Sequence, residues 1–281
     1  MFNTDHLFEE GRARTLVAAH RGVSSANIPC NTLAAYGIAL RQRADIVEID
    51  VARSRDGRLY VFHPGMESPH LGSPQLIRDM TAAEVDELRY LNQDDCPTPY
   101  RVNTLDEALT LMKDRCYINV DKFWMYMGGI AERVRAHGME KQVIVKTPCS
   151  PAYFDEVERV APDFAFMTVV NGEDRFTDEL LARNLRYVGA EVIFDREDAP
   201  VASPEYIRGM HEKGLLVWVN AIVYNSTDVI SARHTDDGAL SGDPDEHWGW
   251  LLDRGFDIIQ TDWCAMLQAY IAQRERRCVR P

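Results

Sequence analysis

Ile46-Val47-Glu48-Ile49-Asp50-Val51-Ala52-Arg53-Ser54-Arg55-Asp56-Gly57-Arg58-Leu59-Tyr60-Val61-Phe62-His63 is the stretch on which the reading of this chain turns. Its apolar start predicts a strand at 46–51. A strand has a side-chain period of two, so Glu48 and Asp50 share one face. Ile46, Val47, Ile49 and Val51 leave little room for a solvated outer face. Two carboxylates held side by side repel unless a cation lies between them. A hard metal ion with oxygen ligands resolves that repulsion. Asp56-Gly57 is a signal for a two-residue hairpin turn. Such a turn returns a second strand at 59–63 and sets His63 opposite Asp50, with Cβ atoms about 5 Å apart.

Outward from this hairpin, short apolar runs alternate with amphipathic stretches. Further strands are predicted at 16–20, 117–121, 143–146, 165–169, 187–193, 216–222 and 257–261. Helices are predicted at 32–42, 105–113, 127–137, 151–160, 177–184, 204–213, 245–253 and 264–272. Helix starts are marked by Asn31-Thr32, by Thr104 with Glu107 three residues on, and by Ser203 before Pro204. Repeated strand–helix units predict a parallel sheet, and eight of them predict a closed one: a TIM (β/α)8 barrel of class α/β. The extra hairpin strand follows barrel strand 2. The length of 281 residues suits one such domain spanning 1–281. Residues 65–74 and 225–244 read as loops, the second inserted after the seventh barrel strand.

Hydrophobic residues make up 46% and charged residues 27%, as in soluble globular proteins. The net charge of −13 argues against binding nucleic acid or an anionic membrane through a general field. A small phosphate-bearing ligand would need local cations or a metal. Six cysteines, Cys30, Cys96, Cys116, Cys149, Cys264 and Cys278, form no CxxC pair and read as free thiols in a reducing compartment. The first residues carry no basic start or apolar run, and no stretch approaches 18 apolar residues, so a cytoplasmic chain without membrane insertion is expected.

Active sites of this barrel class lie at the C-terminal ends of the strands. There the sequence has His20, Glu48 with Asp50, Asp121, Lys146, Asn171, Glu191, Asn220 and Asp262. An apolar strand needs no polar residue at its end, so a set this long points to a shared polar site. Arg21, next to His20, suits a phosphate clamp, and Gly22 permits close backbone approach to a ligand. Lys146 is a second candidate cation. Asp121 completes a three-carboxylate set, and Asn119 shares its face.

These residues resemble the glycerophosphodiester phosphodiesterase family. The resemblance is carried by His20-Arg21-Gly22, Asn31-Thr32-Leu33-Ala34-Ala35-Tyr36, residues 44–51, Asp56-Gly57, His63, Asp79-Met80-Thr81, Thr104-Leu105-Asp106-Glu107-Ala108 and residues 255–262. It runs from about Val17 to Ile271, and the order of the motifs makes it specific. It implies a TIM barrel that hydrolyses glycerophosphodiesters to an alcohol and glycerol 3-phosphate, in lipid or glycerol metabolism, with one divalent cation, Mg²⁺ or Ca²⁺. Carried onto this chain, Glu48 and Asp50 are metal ligands with Asp121 in third place. His20 and His63 are the general acid and base. Arg21, Asn119, Lys122, Lys146, Glu191, Trp218 and Asn220 make up the substrate-binding set.

The chain departs from the family pattern in three places. Cys30 replaces the acid of Pro-Glu-Asn-Thr, Pro64 follows His63 where an Asp is usual, and Ile118-Asn119-Val120-Asp121-Lys122 replaces a Glu-x-Lys strand. Two other readings stay open. One is a lipid phosphodiesterase of phospholipase C or D type, with Trp124, Met125, Tyr126 and Met127 as an apolar lip. The other is a catalytically silent phosphodiester-binding homologue.

Overall fold

In a computed structural model, which describes residues 2–225 and 227–278, twelve strands form. They are β1 (Leu16–Ala19), β2 (Ile46–Arg53), β3 (Leu59–Val61), β4 (Arg89–Leu91), β5 (Pro97–Arg101), β6 (Asn103–Thr104), β7 (Tyr117–Asp121), β8 (Val143–Pro148), β9 (Ala165–Asn171), β10 (Tyr187–Ile193), β11 (Leu216–Asn220) and β12 (Ile258–Thr261). Eight of them pair in parallel in the order β1-β2-β7-β8-β9-β10-β11-β12, and β12 returns to β1. This closed ring is the expected barrel, with β3 added antiparallel beside β2 and β6 antiparallel beside β3.

Leu16, Ile46, Tyr117, Ile144, Leu216, Trp218 and Ile258 fill the barrel interior. Leu7 joins them from an N-terminal helix, Leu7–Ala13, that the sequence reading did not anticipate. It packs at the N-terminal strand ends, where the Tyr117 hydroxyl donates to Glu10 at 3.0 Å. A larger core lies between the strands and the outer helices. Those helices begin where the capping signals set them. The Thr32 hydroxyl accepts from the Ala35 N–H at 3.2 Å, and Thr104 and Glu107 form a reciprocal capping box.

The hairpin differs in register from the expectation. Val51 pairs with Val61 and Arg53 with Leu59, so Phe62, not His63, stands opposite Asp50; its N–H donates to the Asp50 carbonyl at 3.0 Å. The cause is the turn. It spans three residues, Arg55-Asp56-Gly57, closed by Ser54 N–H to the Arg58 carbonyl at 2.9 Å, with Gly57 at φ +98°. A type I turn followed by a left-handed glycine shifts the register by one relative to a two-residue turn. His63 therefore leaves the strand and sits just past its end.

Residues 65–74 are not a plain surface loop. They contain the helix Glu67–Leu71, and Glu67 is buried, accepting from the N–H groups of Gly65 at 2.8 Å and Ile77 at 3.0 Å. This excursion has its own small core around Tyr60, Phe62, Ile77, Val85 and Tyr90. The inserted segment after β11 likewise contains a helix, Asp236–Ser241, capped by Thr235. Five cysteines are free thiols, and the Cys278 side chain lies outside the described residues. Among the described residues no helix is long and apolar enough to cross a membrane.

Candidate active site

The strand parity read from Glu48-Ile49-Asp50 holds. Glu48, Asp50 and Asp121 each offer a carboxylate oxygen, all within 4.8 Å of one another. β2 and β7 bring them together in register, with Glu48 beside Asn119 and Asp50 beside Asp121.

Asp50 is fully buried and surrounded by donors. Lys122 Nζ lies 3.0 Å from Oδ1, Asn31 Nδ2 donates to Oδ2 at 2.9 Å, and Arg21 Nε stands 3.0 Å from Oδ2 without being aligned as a hydrogen bond. All three of these residues have left-handed backbones, with φ +55° at Arg21, +51° at Asn31 and +54° at Lys122. Non-glycine residues held there cost on the order of 1–3 kcal/mol each, and such strain concentrates at functional sites. Lys122 thus turns into the site, bridging Asp50 and, at 3.0 Å, Asp121. The burial of Asp50 opposes its charge, but Lys122, Arg21 and His63 hold its pKa well below the usual carboxylate range.

Glu48 is held differently. Its Oε2 accepts from the Arg21 N–H at 2.8 Å, and burial together with the Asp50 charge pushes its pKa up to about 7. Once Glu48 is ionised the three carboxylates carry −3 and Arg21 with Lys122 carry +2, which leaves an uncompensated charge of −1. Hard oxygen donors with a charge deficit and a strained acid fit a divalent cation.

His20 follows β1, and its Nδ1 lies 2.8 Å from Asp262 Oδ1 at the end of β12. Burial works against the imidazolium, but Asp262 and the Glu48 charge outweigh it and raise the pKa above the ordinary value. His63 stands close enough to Asp50, Lys122, Arg21 and Asp121 to feel their charges. Neither of its ring nitrogens has a hydrogen-bond partner, and burial lowers its pKa to about 4. The two histidines are thus opposite in character.

A cavity of about 710 Å³ opens at these strand ends, lined by His20, Arg21, Glu48, Asn119, Asp121 and Lys122 on one side. Lys146, Glu191 and Asn220 line its other side. Lys146 does not supply a free cation: its Nζ is 2.6 Å from Glu191 Oε2 and 3.3 Å from the centre of the Trp218 ring. Asn220 Nδ2 donates to Glu191 Oε1 at 2.6 Å. Trp218 has no exposed surface, so it supports Lys146 and Asn220 from below rather than lining the cavity. Gly22 packs closely against a helix; a Cβ there would come within 2.8 Å of the Ala35 backbone. Of the expected apolar lip, Trp124 lines the cavity, Met125 is exposed and Met127 is buried in the core.

Three contributors were missed in the sequence. Asp262 was read as a strand-end residue and not as a partner for His20. Asp236, from the inserted segment, is buried and accepts from Trp248 Nε1, the Thr261 hydroxyl and the Asp262 N–H, each at 2.8 Å. It fixes the backbone from which Asp262 reaches His20. Gln260, on the inner face of β12, lines the cavity with an unpartnered Oε1.

Comparison with known proteins agrees with this fold. A glycerophosphodiester phosphodiesterase of Caldanaerobacter subterraneus subsp. tengcongensis is 30% identical over 142 residues, covering 48% of this chain and 58% of that protein. The crystal structure of a glycerophosphoryl diester phosphodiesterase from Parabacteroides distasonis superimposes with a TM-score of 0.75 at 20% identity, over 97% of this chain and 92% of the other. The resemblance to glycerophosphodiester phosphodiesterases holds in sequence and in fold. An Oleispira antarctica phosphodiesterase, solved with its product sn-glycerol-3-phosphate, matches 92% of this chain and 98% of its own with a TM-score of 0.67 at 20% identity. The match to the first curated relative spans less than two thirds of its length. A family model described as a domain of unknown function, DUF4996, matches residues 166–271. Against the glycerophosphodiester phosphodiesterase pattern, two of the departures now have a physical setting. The Cys30 thiol is pushed by burial up to about 11 and so stays neutral. Lys122 reaches the acids from a left-handed residue directly after Asp121.

Proposed function

We propose that this chain is a divalent-cation-dependent phosphoric diester hydrolase that cleaves glycerophosphodiesters to an alcohol and glycerol 3-phosphate. The observation that carries the proposal is the opposed pair of histidines beside an acidic cluster that retains a net negative charge. Glu48, Asp50 and Asp121 would hold one Mg²⁺ or Ca²⁺, which when bound supplies charge neutralisation at a phosphate oxygen.

The remaining chemistry belongs to side chains. Arg21 and Lys122, at the cavity wall, orient the phosphate through its non-bridging oxygens. His63, neutral at working pH and with both buried ring nitrogens unpartnered, accepts the proton of the attacking hydroxyl: that of water, or that of the glycerol arm, in which case the cyclic phosphate formed is then opened by water with the two histidine roles reversed. His20, tethered at Nδ1 by Asp262, presents Nε2 and donates a proton to the leaving alkoxide. That donation matters because an unprotonated alkoxide is a very poor leaving group. Direct attack by water puts one proton on His63 and takes one from His20, and the pair is restored by exchange with water, whereas the route through the cyclic phosphate restores both in its second step. Lys146, Glu191 and Asn220 form a rigid polar wall for the glycerol hydroxyls.

The test is a panel of glycerophosphodiesters incubated with Mg²⁺, Ca²⁺, Mn²⁺ or chelator, with release of glycerol 3-phosphate as the readout. Cation-dependent release supports the reading. A thermal response to cations without release from any diester would favour the silent homologue instead.

A further inference from the structure

The polar network on the far wall of the barrel mouth closes on itself. Lys146 Nζ lies 2.6 Å from Glu191 Oε2, Asn220 Nδ2 donates to Glu191 Oε1 at 2.6 Å, and Asn220 Oδ1 accepts from Trp218 Nε1 at 3.3 Å. Two other side chains lining the same cavity are in a different position. Asn119 has no exposed surface and Gln260 is 6% exposed, yet Oδ1 of the first and Oε1 of the second have no donor among the described residues. A buried acceptor left unpaired is costly, so its donor is expected from whatever occupies the cavity. The Asn119 amide does not relieve this by turning over. Its Nδ2 donates to the Ile144 carbonyl at 3.3 Å, and the turned amide would set oxygen against oxygen there.

The places of the two amides in the barrel limit what reaches them. Asn119 stands beside Glu48 on β2, and Gln260 beside Asn220 on β11. In the ring, β7 and β12 flank β1 and β2, so the two amides face the cavity from either side of the strands that lead to Arg21 and carry Glu48. Each precedes a strand-end acid, Asp121 or Asp262, by two residues. That sets it deeper along its strand by about 7 Å, a depth that a short three-carbon arm reaches from a phosphate at the rim. A cationic arm is disfavoured, because β7 lies between Glu48, a ligand of the proposed divalent cation, and β8, which carries Lys146. A hydroxyl donates to either oxygen without adding charge. Being an acceptor as well, it satisfies the Gln260 amide by either end.

We infer that Asn119 and Gln260 each pair with one hydroxyl of the arm held in the barrel mouth, and so select a glycerol arm, with its two hydroxyls, over its deoxy analogues. This assignment rests on the proposed hydrolase reading, which puts the phosphate at Arg21 and Lys122. A site built to pair with a hydroxyl rejects the analogue that lacks it, because the buried partner is then left unpaired. Each missing hydroxyl weakens binding by about 5- to 100-fold.

The test is calorimetric titration, in Mg²⁺, of glycerol 3-phosphate, 2-hydroxypropyl phosphate, 3-hydroxypropyl phosphate, 3-aminopropyl phosphate and propyl phosphate. The proteins are the parent, Gln260→Met and Asn119→Leu. These ligands are phosphate monoesters, so binding is read apart from diester hydrolysis, which is followed separately in the parent as release of glycerol 3-phosphate. The parent should bind glycerol 3-phosphate about 5- to 100-fold more tightly than either hydroxypropyl phosphate, and propyl phosphate most weakly. Each substitution should abolish the preference for one hydroxyl, a different one in each variant. The series in the parent needs no substitution, so it decides the question even where a variant fails to fold. Equal affinity for the glycerol and propyl arms, tighter binding of the aminopropyl arm than of the hydroxypropyl arms, or a preference unchanged in both variants overturns the inference and leaves the two amides to structural water. Diester turnover without a hydroxyl preference in binding refutes this assignment alone. Hydroxyl-selective binding without turnover of any glycerophosphodiester refutes the hydrolase reading and leaves the assignment standing.

Discussion

Replacing Lys122 with Met keeps most of the aliphatic stem but removes the cation that bridges Asp50 and Asp121 at 3.0 Å each. The charge of the cluster then falls from −1 to −2. Removing one partner from a buried ion pair typically costs ~3–5 kcal/mol, because the remaining charge is left uncompensated. Asp50 is fully buried, whereas Asp121 keeps 27% of its side chain exposed and can recruit water, so the lower end of about 3 kcal/mol is expected. At ~2–4 °C per kcal/mol for chains of roughly this size, melting in chelator should fall by about 6–12 °C. The same substitution enlarges the charge deficit that attracts a divalent cation. Saturating Mg²⁺ or Ca²⁺ should therefore raise the melting temperature of Lys122→Met by more than it raises that of the parent. Differential scanning fluorimetry over a cation titration reads both effects. A variant that melts within about 2 °C of the parent in chelator would show that Lys122 does not neutralise this cluster. A cation-induced shift smaller than the parent's would show that the carboxylates do not bind the ion.

Other consequences follow from the same geometry. Glu48, pushed up to about 7, must lose its proton to act as a ligand. Apparent cation affinity measured by thermal shift should weaken by about tenfold per pH unit below that point, and Glu48→Gln should remove the dependence. With His20 as the proposed acid and its pKa raised partly by Asp262, activity should be lost as pH rises through it. Asp262→Asn should move the alkaline limb of kcat/KM to lower pH, and an unmoved limb would assign the acid to another group. Asp236→Asn puts an amide against one of three N–H or O–H donors, costing ~1–3 kcal/mol. It should also lower kcat, since Asp262 loses its anchor; loss of stability with an unchanged pH profile would make Asp236 structural only. Gly22→Ala combines φ +80° with a Cβ 2.8 Å from the Ala35 backbone, so it should lower the melting temperature measurably even without a change in ligands.

The barrel was legible because its strands are short apolar runs that end in polar residues, a pattern that survives uncertainty in strand ends. The carboxylate pair was legible for the same reason: a period of two sets Glu48 and Asp50 on one face wherever the strand begins. The hairpin register was not, because Asp56-Gly57 suits both two- and three-residue turns and only the backbone of Gly57 separates them. Lys122 was ambiguous because ordinary strand parity points it away from Asp121's face. The left-handed turn at φ +54° reverses that, and no local residue preference announces it. Lys146 had the right position and charge for a phosphate clamp, but Glu191 arrives from another strand and takes its charge. Asp236 was hidden for a similar reason, since its partners Trp248, Thr261 and Asp262 lie 12 to 26 positions away in the chain.

The most direct measurement of the central claim is release of glycerol 3-phosphate from a glycerophosphodiester by the parent, His20→Ala and His63→Ala, each with Mg²⁺ or Ca²⁺ and again with chelator. The account predicts cation-dependent release by the parent and a loss of about 10² to 10⁴ in rate in each histidine variant. Release that persists in chelator, or either histidine variant turning over near the parent rate, would contradict it.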